Sequence, residues 1–284
     1  MADKPNAGMD EFWNGEGGRN WVSREDRLEA SLKIFGQQAI NAAGIAENNR
    51  ILDIGFGCGD TSIDLARLVG AGGHVHGVDI STTMVDTALQ KAKKGAVENI
   101  SFECADAQTS VLAHGEYDIV FSRFGVMFFD DPVTAFKNIY AGLKPTGRIA
   151  FMCWAGRQEN SWVRLPLQVV AKHLDLPPPP APDAPGPFSL SDENRVTGIL
   201  TEAGFSDISV EMFRTPFVLG GDLAEAVSFL MELSPSGGAI KQAEADEELR
   251  EAIAVDMADM LKSHSSERGV SMDAAALIVT ANKA

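Results

Sequence analysis

From residue 50 to residue 153, short apolar runs alternate with stretches whose apolar positions recur every three or four residues. The first pattern predicts buried strands near 50–54, 74–79, 100–104, 117–122 and 147–153. The second predicts helices near 61–70, 82–94 and 132–144. Strands separated by helical segments require right-handed crossovers, and therefore a mostly parallel sheet covered on both faces. Upstream, Leu28, Leu32, Phe35, Ala39 and Ala43 mark an amphipathic helix that begins near Arg24 and ends at Gly44. Before it, Phe12 to Trp21 is glycine-rich and irregular, with two of the four tryptophans. Such a segment is a staple onto the core or a lid over a site.

After Trp154 the alternation stops. A helical stretch near 160–174 runs into the proline-rich segment 177–187, which is expected to be extended and exposed. Ser191-Asp-Glu-Asn194 has capping-box character before a helix that runs to Gly204. Strands are expected near 206–213 and 275–281. Between them lies a helical block from Asp222 to about Ser263, interrupted by Ser234-Pro-Ser-Gly-Gly238. A single domain is expected: residues 1–46 as flap and helix, 47–155 as ligand-binding core, and 156–284 as substrate-side insertions and final strands.

A chain of 284 residues that is 45% apolar can bury a full core. Its net charge of −16 argues against nucleic acid and against an anionic membrane surface. No apolar run is long enough to span a bilayer, and Met1-Ala-Asp-Lys-Pro-Asn lacks the features of a signal peptide, so a soluble, cytoplasmic protein is expected. Cys58, Cys104 and Cys153 have no CxxC spacing, so neither a disulfide framework nor a metal site is expected. Cys104 and Cys153 fall on strands predicted to be buried.

The candidate chemistry gathers at the strand ends, where ligands bind in a parallel sheet. The first strand runs into Gly55, Gly57 and Gly59, a turn stripped of side chains, followed by Asp60 and a helical pattern that opens at Thr61. Asp79 ends the second strand, where a carboxylate can accept both hydroxyls of a ribose. Asp106, beyond the third, is placed to accept from an adenine amine. A dinucleotide turn would carry a third glycine where Asp60 stands, and Asp60 and Asp53 would repel pyrophosphate but not a cationic sulfonium. Arg123 follows the fourth strand, placed either to meet a ligand carboxylate or to form a surface salt bridge. The five histidines are scattered and form no catalytic constellation.

Leu52-Asp-Ile-Gly-Phe-Gly-Cys-Gly59, Gly77-Val-Asp-Ile-Ser81, Cys104-Ala-Asp-Ala107, Tyr117-Asp-Ile-Val-Phe-Ser122 and Leu143-Lys-Pro-Thr-Gly-Arg-Ile149 follow one another at spacings that resemble class I S-adenosylmethionine-dependent methyltransferases. The resemblance implies an α/β, doubly wound, Rossmann-like fold: a mostly parallel seven-stranded sheet with an antiparallel C-terminal strand, an N-terminal flap and a helical insertion before the last strand. It implies S-adenosylmethionine as cofactor. Gly55 and Gly57 would pack against its methionine and ribose portions, and Asp79 would bind the ribose. Ile80 and Met84 would flank the adenine, with Asp106 and Ala107 at its edge. The main chain at Gly55 and Ser122 would take the amino group, with Asp53 near it, and Trp21 would belong to a flap over the cofactor. No residue acquires a catalytic role. The absence of an Asn-Pro-Pro-Tyr signature after Phe124 points toward the small-molecule enzymes related to quinone and sterol methylation, and the apolar block after 222 toward a hydrophobic or aromatic acceptor. A catalytically silent cofactor-binding protein and a nucleotide-dependent oxidoreductase are the alternatives.

Overall fold

In a computed structural model that describes residues 4–284, the apolar runs align as one sheet. Its parallel part comprises β1 (Arg50–Ile54), β2 (His74–Asp79), β3 (Ile100–Cys104), β4 (Tyr117–Arg123) and β5 (Leu143–Trp154). The strand order is β3-β2-β1-β4-β5-β8-β6, where β6 is Phe205–Gly220 and β8 is Gly269–Lys283. β8 runs antiparallel to β5, Phe151 opposite Val279 and Trp154 opposite Ala276. A two-residue strand, β7 (Ser265–Ser266), pairs with the start of β8. The predicted class therefore holds, with this short addition to the seven strands.

The order reverses between β1 and β4, and with right-handed crossovers the helices on the two sides of that break take opposite faces. α4 (Asp60–Val69) and α5 (Thr82–Lys94) connect the strands on one side, and α6 (Pro132–Gly142) connects β4 to β5 on the other. α3 (Glu25–Ala43) ends at Gly44, whose φ of 56° allows the left-handed cap, and packs against β4 and β5. Pro132 opens α6 at a first-turn position, and the Asp131 carboxylate caps it by accepting from the Thr134 amide.

The chain divides into two compact units. The first holds residues 1–154, 182–212 and 276–284, and includes the parallel sheet and α8 (Glu193–Ala203). The second holds residues 155–181 and 213–275, with α7 (Ser161–Val170), α9 (Leu223–Glu232), α10 (Pro235–Gln242) and α11 (Glu247–Leu261). It has a core of its own: Trp162 stacks on Phe217 at 4.5 Å, and Phe229 meets Phe217 edge-on. The buried Asn160 donates to the Ala155 and Ala275 carbonyls and accepts from the Ala275 amide and the Trp162 indole.

Five local expectations are corrected. The glycine-rich N-terminal stretch is helical, as α1 (Ala7–Asn14) and α2 (Glu16–Ser23). Packing of Trp13 against Phe12, Trp21 and Phe128 supplies what helix propensity lacks there. The interruption at Ser234-Pro-Ser-Gly-Gly238 is narrower than expected: α9 ends at Glu232, and Ser234 already caps α10, with Pro235 in its first turn. α8 is capped by Asp192, which accepts from the Arg195 amide, rather than by Ser191. β5 begins at Leu143, not at Gly147: the register jumps from Tyr117–Leu143 to Ile119–Arg148, so Lys144 to Gly147 bulge out of the ladder. Cys104 is exposed because β3 is the sheet's edge strand. Residues 177–183 of the proline-rich segment are exposed, outside helix and strand.

Candidate active site

Gly55, Gly57 and Gly59 all have positive φ, at 67°, 61° and 85°, which turns the chain from β1 into α4 without side chains. At Gly55 the space is occupied by backbone, since a Cβ would stand 2.6 Å from the Cα of Gly125. At Gly57 the space is open. A Cβ there would meet only the Trp21 indole nitrogen, at 3.9 Å. The turn therefore presents bare backbone beneath an aromatic ring of α2.

Asp79 reaches this turn directly. Its carboxylate accepts the Gly57 amide and the Ser81 amide, each at 2.9 Å. Burial pushes its pKa up to about 6, against the pull of the hydrogen bonds from Ser81, Gly57 and Ile80. Asp53 lies behind the turn, fully buried, and accepts the Ser62 hydroxyl at 2.5 Å. Desolvation raises it to about 7, with Ser62 and the charge of Arg123 opposing and that of Asp79 adding. The Ser122 hydroxyl donates to the Ile54 carbonyl at 2.7 Å and accepts the Gly125 amide, which ties the end of β4 to the glycine turn. Phe124 then turns at a φ of 63°, left-handed for a bulky residue, and its ring stacks on Trp154 at 4.3 Å.

Asp106 sits past β3, capping its own turn by accepting the Gln108 amide and the Thr109 hydroxyl. It also accepts the side-chain amide of Asn6 at 2.8 Å. The backbone amide of Asn6 donates to Asp130, and the Asp130 amide donates back to the Asn6 side chain at 2.7 Å. Ile80 follows Asp79, and its carbonyl accepts from Asn14. Met84 and Ala107 are buried close by in sequence, and the Ala107 carbonyl accepts from Asn138. Thr61 is buried in the first turn of α4. α1 and α2 are fastened across these strand ends: Asn14 accepts the Thr82 amide at 2.9 Å, and Ser81 donates to the Trp13 carbonyl at 2.8 Å.

Two charged candidates are already partnered. Arg123 makes a two-pronged contact with Glu29 of α3, at 3.0 and 2.7 Å, so of its two predicted placements the salt bridge is the one formed. Both oxygens of Asp60 contact Lys91 of α5, at 2.8 and 2.6 Å. That pair largely neutralises Asp60, and the repulsion of pyrophosphate expected from its charge loses most of its force. The missing third glycine still separates this turn from a dinucleotide fingerprint. Asn6, Asn14, Ser62, Lys91 and Glu25 were not predicted here. Only Ser81 carried a readable signal, an N-cap serine before α5.

Residues 51–147 match the family described as Methyltransferase domain. That segment is a methyltransferase domain. It is 32% identical over 118 residues to the ubiquinone/menaquinone biosynthesis C-methyltransferase UbiE of Pectobacterium carotovorum, covering 41% of this chain and 47% of that one. It is 34% identical over 130 residues to the aklanonic acid methyltransferase DauC of a Streptomyces species, covering 45% and 59%. The chain thus spans about half the length of these curated relatives. The solved phosphoethanolamine N-methyltransferase 2 of Haemonchus contortus superposes with a TM-score of 0.53 at 21% identity, over 87% of this chain and 52% of that one, a likeness of fold. Among the described residues, no helix is long and apolar enough to cross a membrane.

Proposed function

We propose that the chain transfers a methyl group from S-adenosylmethionine to a small, hydrophobic or aromatic acceptor. The observation that carries the proposal is the joined pair at the strand ends: a glycine turn with open backbone at Gly57, and the buried Asp79 carboxylate hydrogen-bonded to it. The residues suit the cofactor. Asp79 takes hydrogen bonds from the Ser81, Gly57 and Ile80 amides, and a carboxylate offers about four acceptor positions, so it retains capacity for a ribose hydroxyl. Ile80 and Met84 lie on the adenine side, with Asp106 and Ala107 at its edge, and Gly55, Ser122 and Asp53 lie at the methionine end.

S-adenosylmethionine supplies an activated methyl on a sulfonium, and the protein's part is positioning and exclusion of water. Trp21, whose indole nitrogen stands over Gly57, covers the turn for that purpose, packed against Trp13 at the end of α1 that Asn14 and Ser81 fasten. No side chain is assigned as a general base. The acceptor class draws support from relatives named for ubiquinone/menaquinone biosynthesis and for aklanonic acid. The three unpaired cysteines suit a reducing, cytoplasmic setting.

Calorimetric titration with S-adenosylmethionine and S-adenosylhomocysteine, on wild type and Asp79→Ala, tests the site. Binding by wild type and its loss in the variant are expected; absent or unchanged binding would sink the assignment. A panel of phenols, quinones and amines, read by S-adenosylhomocysteine release, then separates a transferase from a silent binder.

A further inference from the structure

The second unit holds a cavity of about 410 Å³, a size that fits a small molecule. Its walls come from three stretches of chain: Gln158 to Arg164, in the turn before α7 and the start of that helix; Arg214 and Thr215 on β6; and Asp273 near the start of β8. These walls are fixed from behind. The buried Asn160 donates to the Ala155, Gly156 and Ala275 carbonyls, and the Ser161 hydroxyl donates to the Asp273 carbonyl at 3.0 Å. The cavity is thus built on a satisfied, buried polar network.

Two arginines from different elements line it. Arg214 is engaged: its Nε and Nη2 both reach one oxygen of Glu159, at 3.2 and 2.9 Å. Arg164 is not. It is half-buried, and among the described residues its guanidinium has no ion pair and no hydrogen bond. Carboxylates are plentiful in a chain with 40 acidic and 24 basic residues, yet none closes on it. A guanidinium drawn partly out of water without a partner loses hydration uncompensated. The Gln158 amide and the Thr215 hydroxyl on the same walls also have no partner among the described residues. Three sets of donors around one cavity, bonded to none of the chain's acceptors, call for an acceptor from outside.

We propose that this cavity binds a small organic carboxylate, whose two oxygens match the planar fork of Arg164, with Gln158 and Thr215 as further donors. Asp273 sets the charge of the ligand. It is exposed on the same walls, so a singly charged carboxylate is accommodated where a doubly charged phosphate is repelled. None of these residues belongs to the cofactor site proposed above, and Asp79→Ala is expected to leave carboxylate binding intact.

The test titrates three probes into the full chain and follows backbone amide shifts: benzoate, the uncharged benzamide and phenyl phosphate. Benzoate is expected to shift residues 158–164 and 214–215, and the other two to bind about tenfold more weakly. Arg164→Gln is expected to weaken benzoate by about tenfold without moving the thermal midpoint, since no bond within the chain is lost, and Arg164→Lys to recover part of the affinity. The proposal is overturned by absent benzoate binding, by equal binding of benzoate and benzamide, by tighter binding of phenyl phosphate, or by shifts centred on residues 55–59. Unchanged affinity in Arg164→Gln overturns it as well. The comparison of benzoate with benzamide uses wild type alone, and it decides the outcome if the variant does not fold.

Discussion

The Asp79 carboxylate accepts the Gly57 amide at 2.9 Å, so the end of β2 and the turn after β1 are one assembly. Burial raises Asp79 to about 6, and its proton therefore returns near neutral pH. In the proposed site the ionised form is the one that accepts ribose hydroxyls, whereas the protonated form gives up acceptor capacity. Affinity for S-adenosylhomocysteine is expected to be full above pH 7 and to fall as pH drops through 6, approaching about tenfold per unit well below it. Asp53, which lies close enough to raise its pKa through Asp79, titrates near 7, so the measurement is repeated in Asp53→Asn. Asp79→Asn is expected to bind weakly with a flat profile. A wild-type profile that is flat from pH 5 to 8 would contradict the role given to Asp79.

Gly125 is the second contact of the turn. A Cβ there would stand 2.4 Å from the Ile54 carbonyl oxygen and 2.7 Å from the Gly55 Cα, both backbone atoms that cannot step aside. Gly125→Ala is expected to destabilise the fold by roughly 1–3 kcal/mol, as overpacking does, and to weaken cofactor binding by displacing Gly55. Gly198 in α8 is the control, exposed and with nothing within 4 Å of a Cβ. Gly198→Ala is expected to stabilise by about 0.5–1 kcal/mol. Thermal and urea unfolding distinguish the two.

The parallel strands and the glycine turn are legible in the sequence because their causes are local. A buried strand needs a short apolar run, and a turn at positive φ needs glycine. The same locality explains what was missed. Arg123 pairs with Glu29 across 94 positions and Lys91 with Asp60 across 31, and no composition or spacing near either end marks a partner. Asp60 therefore looked like an open charge when it is a neutralised one. α1 and α2 were hidden for the opposite reason: Gly15, Gly17 and Gly18 disfavour helix locally, and packing of Trp13 and Trp21 overrides them.

Asn14, at the end of α1, fastens that helix to the start of α5. Asn14 accepts the Thr82 amide and hydroxyl at 2.9 Å each and donates to the Ile80 carbonyl at 3.0 Å. Asn14→Ala removes all three. The core does not depend on them, so the global transition is expected to shift by less than about 1 kcal/mol. Amide exchange over residues 7–23 should accelerate about tenfold, and addition of S-adenosylhomocysteine should slow it again. Unchanged exchange over 7–23 would show that the tryptophan cluster alone holds the cover.

Asp53 yields the sharpest prediction for stability. In the unfolded chain it ionises at the ordinary 3.8, whereas burial raises it to about 7 in the folded protein, with Ser62 only partly compensating. Between these values the folded state keeps a proton that the unfolded state has released. Stability contributed at this site is therefore present at low pH and lost as pH rises from about 4 through 7. Asp53→Asn fixes the neutral form and can still accept the Ser62 hydroxyl through its carbonyl. Its advantage over wild type is expected to be near zero at pH 4, to grow through the window, and to level off above pH 7 at about 2–4 kcal/mol, from roughly three pKa units at 1.4 kcal/mol each. Urea unfolding of both proteins at pH 4, 5, 6, 7 and 8 checks the slope. A variant less stable than wild type at pH 8 would mean that the buried carboxylate is ionised and held by charge, with Arg123, two-pronged on Glu29, as the cation acting on it.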